Sequence, residues 1–149
     1  MIKHEAYLKK TYQLAESAQE KGNHPFGAIF VVENRIVAVC ENTVLTDNDV
    51  TRHAELNLVS KITRELDAEM LNQGILYTST EPCAMCTGAI YWAGISKIVY
   101  GCSAEALGEI AGGAFVVPCR SLLVYGTRKI GVVGPLLEDQ GAAIHRKFW

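Results

Sequence analysis

The sequence lacks any uninterrupted run of about 18 apolar residues, the length that a helix needs to cross a bilayer. It also lacks an excess of either charge. The formal net charge is −2 over 149 residues, so the chain has no general attraction for nucleic acid or anionic membranes. Internal repeats and low-complexity segments are missing as well. These absences predict one domain over residues 1–149, without membrane association and with nucleic acid disfavoured as a partner.

Residues 1–5 carry charges where a signal peptide would need its apolar core, so we expect a cytoplasmic protein. Without a secretion signal, five cysteines, an odd number, argue against a disulfide framework. Two of them form the C-x-x-C pair Cys83 and Cys86. The other three lie in apolar surroundings, and we expect reduced core residues at Cys40, Cys102 and Cys119.

The spacing of apolar residues predicts alternating helices and strands. A helix over 3–21 is followed by strands over 27–32 and 35–42, joined by a tight turn at 33–34. The remaining predicted elements are helix 52–68, strand 74–79, helix 82–92, strand 96–100, helices 104–111 and 118–125, strand 129–133 and helix 138–149.

Strand–helix–strand units normally join parallel strands through a right-handed crossover. One such unit links strand 74–79 to strand 96–100, and the same logic links strand 35–42 to strand 74–79 through helix 52–68. The tight turn makes the first two strands antiparallel. We therefore predict a three-layer α/β/α fold, with a mostly parallel sheet that carries one antiparallel hairpin at its edge.

The predicted helix 52–68 begins with His53-Ala54-Glu55. Its apolar stripe runs through Leu58 and Ile62, and extending the stripe towards the N-terminus reaches Glu55. A carboxylate on the buried side of a helix is costly unless it has a partner or a task. If the only role of this carboxylate were a favourable interaction with the helix dipole, it would be better placed facing solvent. The position therefore favours a functional role for Glu55.

A second motif, Pro82-Cys83-Ala84-Met85-Cys86, places two thiols on one face of a first helical turn, because proline suits a helix start. With His53 they make three ligands of the types that zinc prefers, and three protein ligands leave the fourth position open, as in catalytic sites. No second C-x-x-C and no Cys/His pair completes a closed structural site. The order H-x-E, then P-C-x-x-C, is the signature of zinc deaminases, in which the glutamate transfers protons.

The chain resembles the cytidine deaminase superfamily, and within it the compact base deaminases, especially the bacterial guanine deaminases. The resemblance covers nearly the whole chain and is strongest over 25–27, Asn42, 51–55 and 77–92. It implies a five-stranded mixed sheet between helices, in agreement with the predicted α/β class. It also implies one Zn²⁺ per subunit, held by His53, Cys83 and Cys86, with Glu55 as the catalytic acid and base.

The resemblance further implies how a flat aromatic base would be bound. Asn42 would hydrogen-bond the ring or its carbonyl, and the backbone N–H of Ala54 would steady the adduct. Phe26 and Trp92 would form an apolar, stacking pocket around the base. From sequence alone, core packing is the simpler explanation of both aromatic residues.

The C-terminal third carries the implied specificity. Guanine deaminases of this type place C-terminal residues over the active site, often from the partner subunit of a homodimer. By resemblance, Trp149 would belong to that lid, and the segment 135–149 would be able to swap between subunits. An acid that reads the base would be Glu109 or, as the alternative, Glu105. Residues 101–120 match the family pattern poorly.

The predicted function is zinc-dependent hydrolytic deamination of a free purine base, foremost guanine to xanthine and ammonia. The shared motif leaves open cytosine, a nucleoside, a triazine or a pterin as the substrate. A tRNA adenosine deaminase has a similar motif, but this chain lacks the basic stripe that RNA binding favours. A non-catalytic zinc-stabilised domain predicts the loss of Glu55 or Asn42, and both residues are present.

Overall fold

The computed structural model describes residues 3–149, which form a five-stranded sheet with helices on both faces. The helices are α1 His4–Glu20, α2 Val44–Asp47, α3 Ala54–Glu65, α4 Ala68–Gln73, α5 Ala84–Trp92, α6 Ala104–Ala111, α7 Cys119–Leu123 and α8 Glu138–Phe148. The strands are β1 Gly27–Val32, β2 Arg35–Glu41, β3 Ile75–Thr80, β4 Lys97–Cys102 and β5 Gly131–Val133. None of the described helices is long and apolar enough to cross a membrane.

The strands are ordered β2-β1-β3-β4-β5. β1 is antiparallel to both β2 and β3, whereas β3 with β4 and β4 with β5 are parallel pairs. The mixed sheet and its edge hairpin are confirmed, but the predicted pairing of β2 with β3 is wrong, because β1 lies between them. Burial explains the order: every residue of β1 is buried, whereas β2 exposes Ile36 and Val39 and occupies the edge. Two of the four pairings are antiparallel, because β1 runs opposite to the other four strands, which all point the same way.

Two helix boundaries differ from the prediction because side-chain caps interrupt the apolar pattern. The predicted helix 52–68 becomes α3 and α4, since Leu66 is extended and the Asp67 side chain accepts a hydrogen bond from Met70 N at the start of α4. The predicted loop 43–50 contains the single turn α2. There the buried side chain of Asn42 accepts a hydrogen bond from Val44 N at 3.0 Å.

The core lies on both faces of the sheet, as expected for three layers. On one face, Phe30 of β1 packs in a cluster with Leu58 and Ile62 of α3. On the other, the neighbouring Ile29 packs in a cluster with Leu8 of α1. This alternation along β1 is the two-residue period of a strand that is covered on both sides.

All five cysteines are free thiols. Cys102 and Cys119 are buried, and burial raises the pKa of each to about 12, as suits unreactive core residues. Cys40 is only half-buried because it lies on the edge strand β2. The expectation of a core residue therefore holds for Cys102 and Cys119 and only in part for Cys40.

The C-terminal helix α8 packs against α1, α6 and β4 of its own chain. The Tyr12 hydroxyl of α1 donates hydrogen bonds to the carbonyls of Leu136 and Leu137, just before α8 begins. At Gly141, an added Cβ would lie about 3.1 Å from both Tyr12 and Cys102, so a larger residue would push α8 away from the sheet. The exchange of segment 135–149 between subunits stays a prediction.

A buried carboxylate organises the segment that the sequence describes least well. Glu81 follows β3, and its two carboxylate oxygens accept hydrogen bonds from Ala104 N at 2.9 Å and Cys119 N at 2.7 Å. These amides lie at the starts of α6 and α7. Glu81 therefore fixes both helices relative to the strand that leads into Pro82 and Cys83.

We expect Glu81→Gln to destabilise the fold, because an amide NH₂ would face a backbone N–H that now donates to a carboxylate oxygen. An unsatisfied buried group costs about 1–3 kcal/mol, and the free energy of unfolding in urea measures the loss. Glu20→Gln, at the exposed end of α1, is the matched control. A loss of under about 0.5 kcal/mol for Glu81→Gln, within the range of ordinary surface changes, would contradict this role.

Candidate active site

Two helix starts converge at the site. His53 is the N-cap residue of α3, and Cys83 is the N-cap residue of α5. Both residues have extended backbone, with φ of −66° and −68°, and neither side chain caps its own helix, so both remain free to bind a ligand. Helix N-termini carry partial positive charge and favour thiolates.

The three predicted metal ligands lie together. The Nδ1 atom of His53 is 3.5 Å from the Cys83 sulfur and 3.6 Å from the Cys86 sulfur, and all three ligand atoms lie within 4.8 Å of one another. In a tetrahedral zinc site, bond lengths of about 2.3 Å to sulfur and about 2.0 Å to nitrogen separate these atoms by about 3.5 Å. The donor set and its spacing therefore fit Zn²⁺, with a fourth position left for another ligand.

The two thiols shift each other's pKa in opposite directions. A hydrogen bond from Cys86 lowers the pKa of Cys83 to about 4, and His53 adds to the effect against the opposing cost of burial. The same pairing with Cys83, together with burial, raises the pKa of Cys86. A divalent cation would lower the pKa of both thiols, because it stabilises both thiolates at once.

Glu55 faces inward, as the apolar stripe of its helix predicts. Its side chain is 5% exposed, and Leu58 and Ile62 are buried on the same side of α3. Burial raises the pKa of Glu55 to about 7, and the charge of Cys83 acts in the same direction, whereas His53 opposes it. A carboxyl group with a pKa near neutrality suits a residue that both accepts and donates protons.

The predicted substrate contacts Asn42, Phe26 and Ala54 adjoin this centre. The backbone N–H of Asn42 donates to the carbonyl of Phe26 at 3.1 Å, which joins the two residues. Because Asn42 Oδ1 accepts from Val44 N, the side-chain NH₂ is the group left for a bound molecule. Ala54 is buried in the first turn of α3, between His53 and Glu55.

The C-terminal tail packs its aromatic residues against His24. The Trp149 ring lies 5.3 Å from the His24 ring and 4.7 Å from the Phe148 ring. Burial lowers the pKa of His24, and the nearby positive charge of His53 adds to this effect. His24 thus contacts the tail and is close enough to His53 for their charges to interact, while the lid role of Trp149 stays a prediction.

The remaining predicted contacts lie apart from this centre. Trp92 ends α5 and is 85% exposed, and its ring meets the neighbouring Tyr91 edge to face. Glu105 and Glu109 are exposed on α6. In residues 3–149, none of the three forms a hydrogen bond or ion pair with His53, Cys83 or Glu55.

The sequence analysis missed three residues of this region: His24, Thr80 and His145. Neither histidine has the partner spacing of a metal ligand, so the pattern of ligands does not reveal them. One signal does exist for His145, which precedes Trp149 by four residues and therefore shares a helix face with it. The contact with Thr80, 65 residues away, is visible only in the folded chain.

Residues 1–102 match the model of the cytidine and deoxycytidylate deaminase zinc-binding region. The chain belongs to this deaminase family. The match includes all three metal ligands and Glu55, so the predicted zinc cofactor is confirmed by the family and by the geometry of the cluster. The helices and the five-stranded mixed sheet agree with those of related solved structures.

Relatives with different substrates are similarly close. The chain is 40% identical over 149 residues to a probable cytosine deaminase of Schizosaccharomyces pombe, covering 97% of this chain and 91% of the relative. A structure of guanine deaminase from Bacillus subtilis shares 33% identity, with a TM-score of 0.68 and 99% and 96% coverage. A structure from work on A-to-I editing by tRNA:A34 deaminases shares 31% identity, with a TM-score of 0.77 and 93% and 98% coverage. The protein is thus a zinc-dependent deaminase, and these relatives do not determine its substrate.

We expect Cys83→Ala to abolish stable zinc binding, because two protein ligands would then remain and a buried thiolate would lose its partner. Metal content after purification and dialysis measures the change, with about one zinc per chain in the unmodified protein. Cys40→Ala, which removes a half-buried thiol elsewhere, should keep its zinc. Equal zinc content in both variants would show that Cys83 is not a ligand.

Proposed function

We propose that this protein hydrolytically deaminates a free nucleobase, with guanine to xanthine and ammonia as the first candidate. The observation that carries the proposal is the buried carboxyl group of Glu55, two residues from one metal ligand and next to an open three-ligand cluster. The nearly full-length similarity to the Bacillus subtilis guanine deaminase structure supports guanine.

Cytosine is the second candidate, and two observations favour it. The similarity to the probable cytosine deaminase covers 97% of this chain at 40% identity. In addition, the two carboxylates expected to read guanine, Glu105 and Glu109, are exposed on α6. A guanine site needs an acceptor for the ring N–H and amino groups, whereas the NH₂ group of Asn42 suits a ring carbonyl, which cytosine also carries.

The reaction needs a water molecule made nucleophilic and a group that moves its proton. His53, Cys83 and Cys86 would hold the zinc ion that meets the first requirement, since coordination to zinc would lower the pKa of a water molecule to about 7. Glu55 supplies the second in two transfers: its carboxylate moves one proton of the water to a ring nitrogen and then moves the other, from the added hydroxyl group, to the departing amine. A carbon–oxygen bond forms, the carbon–nitrogen bond breaks, and ammonia leaves.

The surrounding residues orient the base. Asn42 donates a hydrogen bond to its carbonyl, and the backbone N–H of Ala54 binds the same ring edge. Phe26 provides an apolar wall, and Trp149 closes the side next to His24. A flat, neutral ring suits these walls, because Phe26, Asn42 and Trp149 carry no charge and a polyanion is bound by a positively charged groove.

An ammonia-release screen tests the proposal directly. Zinc-loaded protein should release ammonia from guanine or cytosine at a rate well above that of a metal-free sample. The panel should include nucleosides, triazines, pterins and a tRNA with adenosine at the wobble position. Turnover of the tRNA alone, with every small heterocycle inert, would overturn the proposal.

We expect Glu55→Gln to retain zinc but to lose about 10²–10⁴-fold in kcat, the usual contribution of a general acid and base. Zinc content and ammonia release, measured on the same preparation, separate the two effects. Glu65→Gln, in the last turn of the same helix and exposed, is the matched control and should keep its activity. Full activity in Glu55→Gln would exclude Glu55 as the proton carrier.

We also expect the homodimer that the family resemblance implies, with the apolar surface formed by Trp92, Val124 and Tyr125 inside it. These side chains are strongly exposed on the adjoining ends of α5 and α7, and an exposed apolar patch indicates an interaction site. Sedimentation should give the mass of two chains, and Tyr125→Asp should shift the protein towards a monomer. Val50→Asp, at an exposed valine outside this surface, is the control. A monomer before any substitution would refute the dimer.

A further inference from the structure

His145 is a buried imidazole that the metal cluster does not use. It lies on the inner side of α8 and is 1% exposed. A buried polar ring is costly unless its nitrogen atoms have partners, and both of these do. Nε2 lies 2.7 Å from the Thr80 hydroxyl oxygen, and Nδ1 lies 3.1 Å from Nε1 of Trp149.

The partners determine the tautomer. An indole N–H can only donate a hydrogen bond, so Nδ1 of His145 must accept it and cannot carry a proton. The neutral ring then has its proton on Nε2, which donates to Thr80 Oγ1. Burial lowers the pKa of His145 to about 4, which keeps the ring in this neutral form.

The hydrogen bond restrains a residue that would otherwise be mobile. Trp149 follows the last residue of α8 and is 46% exposed, and residues at the end of a helix fray unless they are tied down. Besides the indole hydrogen bond, its ring touches Phe148 and His24. The face of His145 itself packs against Phe26 at 5.2 Å.

The other anchor lies on the strand that leads to the metal. Thr80 is the last residue of β3, and Cys83 follows three residues later. The hydrogen bond from His145 therefore attaches the tail to the end of β3, the strand that leads to the metal ligand Cys83. We call Thr80, His145 and Trp149 the C-terminal latch.

We propose that His145 is a positioning residue of the base pocket, which holds the Trp149 indole beside the metal site by linking it to the end of β3. The inference rests on the proposed function for its kinetic consequence only. A base that binds between Phe26 and Trp149 would contact two rings that the imidazole of His145 holds in place. Releasing the latch should weaken substrate binding and open the metal to solvent, while the chemical step, which depends on Glu55, changes little.

Two conservative substitutions separate the halves of the latch. His145→Asn retains a polar acceptor near the position of Nδ1 and loses the donor to Thr80. His145→Gln retains a donor near the position of Nε2 and loses the acceptor for Trp149. We expect His145→Gln to release the indole, and His145→Asn to retain it in part.

The first measurement is independent of activity. The protein has two tryptophans, so its nitrogen-15 spectrum should contain two indole N–H signals, and the exposed Trp92 is an internal reference. In His145→Gln, the Trp149 signal should shift and exchange with water about two- to tenfold faster, as for the loss of one hydrogen bond, with the Trp92 signal unchanged. An unchanged Trp149 signal would overturn the latch.

The second measurement is the rate at which a chelator removes bound zinc. We expect this rate to rise in His145→Gln and to rise less in His145→Asn. With the base that the ammonia screen identifies, KM should rise about two- to tenfold and kcat should stay within about twofold. A lower melting temperature with unchanged KM and unchanged zinc removal would show a merely structural histidine and refute the proposal.

Trp149→Phe keeps the test decisive if the His145 variants fail to fold. It retains a ring, removes only the indole donor, and lies at the exposed end of the chain. We expect it to raise KM and the zinc-removal rate as His145→Gln does, and unchanged values of both would overturn the proposal. If no base is deaminated, the proposed function fails, while the indole exchange and zinc removal still decide whether the latch exists.

Discussion

The site depends on one constraint: three ligand atoms from two different helices must lie within reach of a single ion. His53 and Cys83 meet this constraint because each lies at the start of one of two helices, α3 and α5, that pack against each other. Extended backbone at each N-cap residue leaves the side chain free. A shift of one helix relative to the other would separate the imidazole from the thiols, which lie 3.5 and 3.6 Å away.

Buried polar groups supply the framework that holds this arrangement. Glu81 ties the strand before the second motif to the starts of α6 and α7, and His145 ties the end of that strand to the C-terminus. Both side chains are fully partnered, which is why they are tolerated in the interior. Between them, the catalytic centre is connected to the C-terminal third through hydrogen bonds and not through apolar packing alone. Residues 101–120, which match the family pattern poorly, are therefore linked by hydrogen bonds to Glu81, two residues before the metal ligand Cys83.

The division between reaction and specificity follows from these contacts. The metal ligands and Glu55 come from two short motifs, which act within one or two helical turns and determine the type of chemistry. The groups proposed to contact a base are Phe26 and Asn42, near the start of the chain, and Trp149 of the tail, which follows more than 100 residues later. The relatives of this chain are named as deaminases of different substrates, namely cytosine, tRNA adenosine and guanine. This is consistent with one set of residues for the reaction and another for the choice of substrate.

Local patterns in the sequence were enough to predict every strand, the zinc ligands and the inward-facing Glu55, because these depend on spacing within single elements. The order of the strands required the tertiary structure, since only burial shows that β1, and not β2, lies next to β3. The partners of Glu81 and the contact of His145 with Thr80 also required the tertiary structure, because these groups lie 23 to 65 residues apart and no short pattern records such a distance. The sequence by itself thus determined the class of reaction. Only the folded chain decided which residues from distant parts of the sequence meet the C-terminal tail, because hydrogen bonds and packing between separate elements place them there.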